Sequence, residues 1–77
     1  MRQSDFSRRL QILLDEMGYS QKEFSILTGT TEAAICRYLK GTREPNANTL
    51  SVIADTTNVT PNWLLGYGPD EPIERMK

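Results

Sequence analysis

Residues 20–40, SQKEFSILTGTTEAAICRYLK, decide the fold. Ser20, followed three residues later by Glu23, makes a capping box and predicts a helix that starts at Gln21. That helix runs to Thr28 and stops at Gly29, which supplies the positive φ that a tight turn needs. Thr31 is then a second N-cap, opening a helix through Lys40 that Gly41 closes. Phe24, either Leu27 or Thr28, Ala34, Ile35 and Tyr38 take the inward positions. The small residues Ser25 and Ala34 fall where two crossing helices must approach closely.

Two short helices joined in this way form a helix-turn-helix, whose second helix is presented outward and can enter the major groove of DNA. On the N-terminal side, a helix is predicted from about Ser4, with Phe6, Leu10, Leu13, Leu14 and Met17 on one apolar face and Gly18 as its end. Arg8 and Arg9 are placed off that face as solvated charge, and Ile12 is expected to be exposed opposite it. Tyr19 is set to staple onto Phe24.

On the C-terminal side, residues 42–45 form a loop that Pro45 keeps from continuing the preceding helix. Asn46 caps a fourth helix through about Thr57, with Leu50, Ile53 and Ala54 inward and Asn58 as a left-handed terminator. Thr60 and Pro61 open a short fifth helix, residues 61–65, that Gly66 ends. Trp63 and Leu64 supply most of its apolar area. Residues 1–66 therefore make one all-α domain, and residues 67–77, with Pro69, Pro72 and five charges, are expected to be an extended or disordered tail.

Composition narrows the function. The chain of 77 residues has no His and one Cys, which excludes a disulfide framework and argues against structural zinc. Cys36 reads as a packed or half-buried thiol rather than a redox switch. No metal-ligand cluster, phosphate-cradling Gly-rich loop or nucleophile beside a base is present, so no enzyme activity and no cofactor are expected. No run is long enough for a membrane span or signal peptide, which implies a cytoplasmic protein.

The net charge is -1, low for a nucleic-acid binder, but the charges are unevenly placed. Residues 20–43 carry Lys22, Arg37, Lys40 and Arg43 against Glu23 and Glu32. From Glu44 onward, Glu44, Asp55, Asp70, Glu71 and Glu74 outweigh Arg75 and Lys77. A cationic middle and an acidic back end predict weak non-specific DNA binding that salt readily removes.

Gln21, Phe24, Gly29, Thr31, Ile35, Tyr38, the run Gly41-Thr42-Arg43-Glu44-Pro45, Leu50, Ile53, Ala54, Val59 and the ending Trp63-Leu64-Leu65-Gly66 together resemble the lambda-repressor-like, Xre/Cro-type helix-turn-helix domain. The resemblance covers about residues 6–66. It implies a compact five-helix bundle that binds double-stranded operator DNA as a two-fold dimer, with no small-molecule ligand. It also implies that Gln21 and Lys22, at the start of the second helix, and Lys40, Thr42 and Arg43, after the third, contact phosphates. Thr31, Glu32, Ala33 and Arg37 take the base-reading edge of the third helix. Arg37 suits guanine O6 and N7, and Ala33 a thymine methyl. Glu32 fits either a cytosine amino group or the positive end of its own helix. Arg37 could instead pair with Glu32 or Glu44. Leu65, Tyr67 and Ile73 are the expected dimer surface.

Three positions depart from the family's pattern. Leu14 and Leu39 stand where many members carry a buried Arg and Glu, so an apolar contact is expected in place of an ion pair. Ser25 replaces an Ala of similar size. The modest charge and Glu32 keep open a second reading, a protein-interaction module on the same fold, such as an antitoxin or repressor partner.

Overall fold

The computed structural model describes residues 5–68, which form helices and turns with no strand among the described residues. The helices are α1 (Asp5–Met17), α2 (Gln21–Thr28), α3 (Glu32–Lys40), α4 (Ala47–Thr57) and α5 (Pro61–Leu64). This is the all-α, five-helix architecture expected from the sequence.

Local chemistry sets the helix ends. The Ser20 hydroxyl accepts from the Glu23 amide at 3.0 Å, and the Glu23 carboxylate accepts from the Ser20 amide at 2.9 Å, closing the capping box. Thr31, Asn46 and Thr60 cap α3, α4 and α5 through side-chain oxygens that accept from the amides of Ala34, Thr49 and Trp63. Asn58 ends α4 in the left-handed region at φ 58°, as its sequence position suggested. α5 is one residue shorter than expected, because Leu65 serves as its C-cap.

The core is one cluster. Phe6, Leu10, Leu13 and Leu14 of α1 meet Phe24 of α2, Ala34, Ile35, Tyr38 and Leu39 of α3, and Ile53, Ala54, Val59, Trp63 and Leu64. Met17 is only half-buried, whereas Ile12, expected to be exposed, packs partly against the core. Of the two inward candidates at the end of α2, Thr28 is buried and Leu27 is half exposed. Thr28 can go inside because its hydroxyl donates to the Phe24 carbonyl at 2.8 Å and lies 2.9 Å from the Thr30 hydroxyl. With its proton committed to Phe24, Thr28 accepts from Thr30, so the turn is closed by a satisfied pair of hydroxyls. Tyr19 lies against Phe24 with ring centroids 6.3 Å apart, the staple expected at the start of α2.

α3 is fixed against α1 by two contacts at Tyr38. The Phe6 and Tyr38 rings meet edge to face at 5.9 Å and 79°. The buried Ser7 hydroxyl donates to the Tyr38 carbonyl. These contacts set which edge of α3 faces inward, and so which edge faces water.

Arg9 contradicts the sequence reading. It is 3% exposed, not solvated. Its guanidinium donates to the carbonyls of Trp63 at 2.7 Å, Tyr67 at 2.9 Å and Gly68 at 2.6 Å, and lies 5.0 Å from the centre of the Trp63 ring. A planar, weakly hydrated cation with a fork of donors suits carbonyls at a helix end and in the turn beyond it, of which that of Trp63 also accepts from the Gly66 amide at 3.0 Å. Arg8, by contrast, stays at the surface and pairs with Asp5 at 3.1 Å. The chain just past Gly66 is thus tied to α1 as far as Gly68, within the first two residues assigned to the tail.

Candidate nucleic-acid interface

α3 has one face for the protein and one for solvent. Ala34, Ile35, Tyr38 and Leu39 are buried, while Thr31, Glu32, Ala33, Arg37 and Lys40 are exposed. Ala33, Arg37 and Lys40 recur at spacings of four and three, which places them along a single ridge. Thr31 and Glu32 stand at the N-terminal end of that ridge, and Cys36 is half-buried at its margin.

Arg37 forms no ion pair with Glu32 or Glu44 among the described residues, so its fork of donors points into solvent. The Thr31 hydroxyl oxygen accepts from Ala34, yet it keeps a proton to donate. At the far end, the Thr42 amide and hydroxyl both donate to the Arg37 carbonyl, at 3.1 and 3.3 Å. That holds the start of the loop bearing exposed Arg43 against the end of α3. Gln21 and Lys22 are exposed at the first turn of α2.

The α2 N-terminus carries a competing charge. The Glu23 carboxyl is held below its ordinary value of 4.5, mainly by the Ser20 backbone N–H and then by the Ser20 side chain, against a small opposing effect of burial. A lowered folded-state value means that the unfolded chain takes up the proton first. The capping box therefore contributes above about pH 4.5 and is lost as pH falls through the lower folded value. In an NMR titration, the Ser20 amide shift should follow the Glu23 carboxyl with a midpoint below 4.5. A midpoint at or above that value would mean the box is open in solution.

Sequence reasoning missed two features. One is Arg9, whose spacing did give a signal: it lies three residues after Phe6 and four before Leu13, on the apolar stripe. The other is a shallow groove on the outer side of α2, lined by Tyr19, Glu23, Ile26 and Leu27, with Ile26 70% exposed. Leu65 and Tyr67 are exposed at the end of α5, whereas Ile73 lies outside the described residues. Among the described residues no group of His, Cys, Asp and Glu could hold a metal ion, and no helix is long and apolar enough to cross a membrane.

Five helices with a capped pair at their centre and an outward third helix define a helix-turn-helix protein. The family described as Helix-turn-helix matches residues 2–64, and the chain belongs to it, in its lambda-repressor-like form. An uncharacterized HTH-type transcriptional regulator of Haemophilus influenzae is 36% identical over 62 residues, which cover 80% of this chain. The match spans 26% of that relative's length. No solved structure matches.

Proposed function

We propose that the chain is a sequence-specific DNA-binding transcriptional regulator, acting as a repressor and binding a palindromic operator as a dimer. The observation that carries this reading is the exposed Thr31, Glu32, Ala33 and Arg37 edge of α3, opposite a fully packed edge. Arg37 grips a guanine edge, Ala33 touches a thymine methyl, and Glu32 accepts from a cytosine amino group. Gln21, Lys22, Lys40, Thr42 and Arg43 hold phosphates on either side and set the register. Family membership supports the assignment, as does the similarity to an HTH-type transcriptional regulator of Haemophilus influenzae.

One half-site covers only a few base pairs. A dimer spanning two half-sites roughly 34 Å apart supplies the affinity and selectivity that one domain lacks. Leu65 and Tyr67 offer the surface for it, together with Ile73.

The test is selection from random duplexes at moderate salt, run in parallel with Arg37→Ala. The expected result is a palindromic motif in which one base per half-site relaxes in the variant, with a loss of about 1–3 kcal/mol at that base. A motif unchanged by Arg37→Ala would remove Arg37 from the base-reading set.

A second reading, a protein-interaction module with little DNA binding, draws on the apolar groove beside Ile26 and Leu27 and on the small net charge. Salt separates the two. A regulator loses duplex affinity steeply as salt rises, whereas an interaction module shows no shift with any duplex at low salt.

A further inference from the structure

Arg9 is a buried cation that DNA recognition does not use. It spends its donors on the carbonyls of Trp63, Tyr67 and Gly68, the residues that enclose Leu65. Between them, Gly66 turns the chain at φ 108° against Asp5 of α1. The amides of Leu65, Gly66 and Tyr67 return to α5 carbonyls, and Arg9 adds the hold of α1 on the Tyr67 and Gly68 carbonyls, yet Leu65 and Tyr67 remain 51% and 69% exposed. An apolar pair kept in solvent on a clamped turn is a surface prepared for contact.

Charge indicates what contacts it. In a two-fold contact each patch meets its own copy, so a charged patch repels itself. Residues 61–68, PNWLLGYG, contain no charged side chain, and the carboxylate that borders them, Asp5 beside Gly66, is paired with Arg8 at 3.1 Å, so a like surface can approach with little net repulsion. The groove on α2 differs, because Glu23 lines it and a two-fold contact there would bring two carboxylates together.

We propose that Arg9 is a positioning residue for self-association: by fixing the turn after α5 it presents Leu65 and Tyr67 to a second copy of this chain, a role resting on the dimer part of the reading above and not on its DNA part. The clamp removes the cost of ordering the turn when two copies meet. Lysine at this position keeps the charge but has neither the planar fork nor its geometry, and cannot hold three carbonyls in the same arrangement.

Sedimentation equilibrium of the full chain without DNA tests this, using Arg9→Lys, Tyr67→Ala and the double variant, each checked for cooperative melting. Arg9→Lys and Tyr67→Ala should each weaken dimerisation by about tenfold or more. In the Tyr67→Ala background, Arg9→Lys should add little, because the two act through one surface. At concentrations where both are monomeric, binding of Arg9→Lys to a random-sequence duplex at low salt should equal that of the parent. Equal and independent effects of the two substitutions would overturn the proposal, and so would a dimer indifferent to Tyr67→Ala, even if Arg9→Lys failed to fold. A chain that is monomeric at every concentration would overturn it too, while its salt-dependent duplex binding would still test the DNA reading separately.

Discussion

Leu14→Arg should unfold most of the domain's margin of stability, while Leu14→Arg combined with Leu39→Glu should recover much of the loss. Leu14 is 3% exposed and Leu39 8% exposed, both in the cluster that joins α1 to α3. A lone guanidinium there is dehydrated without a counter-charge, at about 3–5 kcal/mol. A domain of this size has only about 4–12 kcal/mol of stability in total, so the midpoint of thermal unfolding should fall by roughly 15 °C or more. Adding Glu at 39 gives the cation a partner across the same interface. The melting midpoint of the double variant should lie well above that of either single variant. Additive losses would mean that the two side chains do not face each other. The apolar pair found here avoids dehydrating two charges, which is why its presence is compatible with the fold. It also leaves α1 and α3 joined at the surface-setting end by the Ser7–Tyr38 hydrogen bond and the Phe6–Tyr38 ring contact.

What the sequence reveals depends on how far away each side chain's partner is. The ends of α2 and α3 are readable because Ser20, Glu23, Thr31, Gly29 and Gly41 act on backbone groups a few residues distant. The outward edge of α3 is readable for the same reason, since the burial of Ala34, Ile35, Tyr38 and Leu39 leaves Glu32, Ala33 and Arg37 on the other side. Arg9 is not readable in that way. Its partners lie 54 to 59 residues along the chain, and they are carbonyls, which every residue type carries. Thr28 posed a different difficulty. Hydropathy alone prefers Leu27 as the inward residue, and only the hydroxyl bonds to Phe24 and Thr30 make the threonine a good core neighbour. The bases that Arg37 and Glu32 would read lie outside the chain altogether, so side-chain chemistry bounds the choice without naming an operator.

Gly66→Ala should cost about 3 kcal/mol, well above the effect of Gly29→Ala, although both glycines have positive φ. At Gly29, φ is 68° and nothing lies within 4 Å of the position a Cβ would take. Only the left-handed conformation is disfavoured there, by roughly 1–2 kcal/mol. At Gly66, φ is 108°, and a Cβ would lie 2.6 Å from Asp5 Oδ2 and 2.9 Å from Asp5 Cβ. The carboxylate is exposed and can swing aside, at the expense of its pairing with Arg8. The Asp5 Cβ cannot move without shifting the first turn of α1. Asp5→Ala should therefore recover little of the loss in a Gly66→Ala background, because it removes the carboxylate and keeps the carbon. Chemical denaturation of the three variants checks this ordering. Relief by Asp5→Ala to the level of Gly29→Ala would show that the collision is with the carboxylate alone. If α1 and the turn do part instead, the Tyr67 and Gly68 carbonyls move away from Arg9, and Gly66→Ala should then weaken dimerisation as Arg9→Lys does.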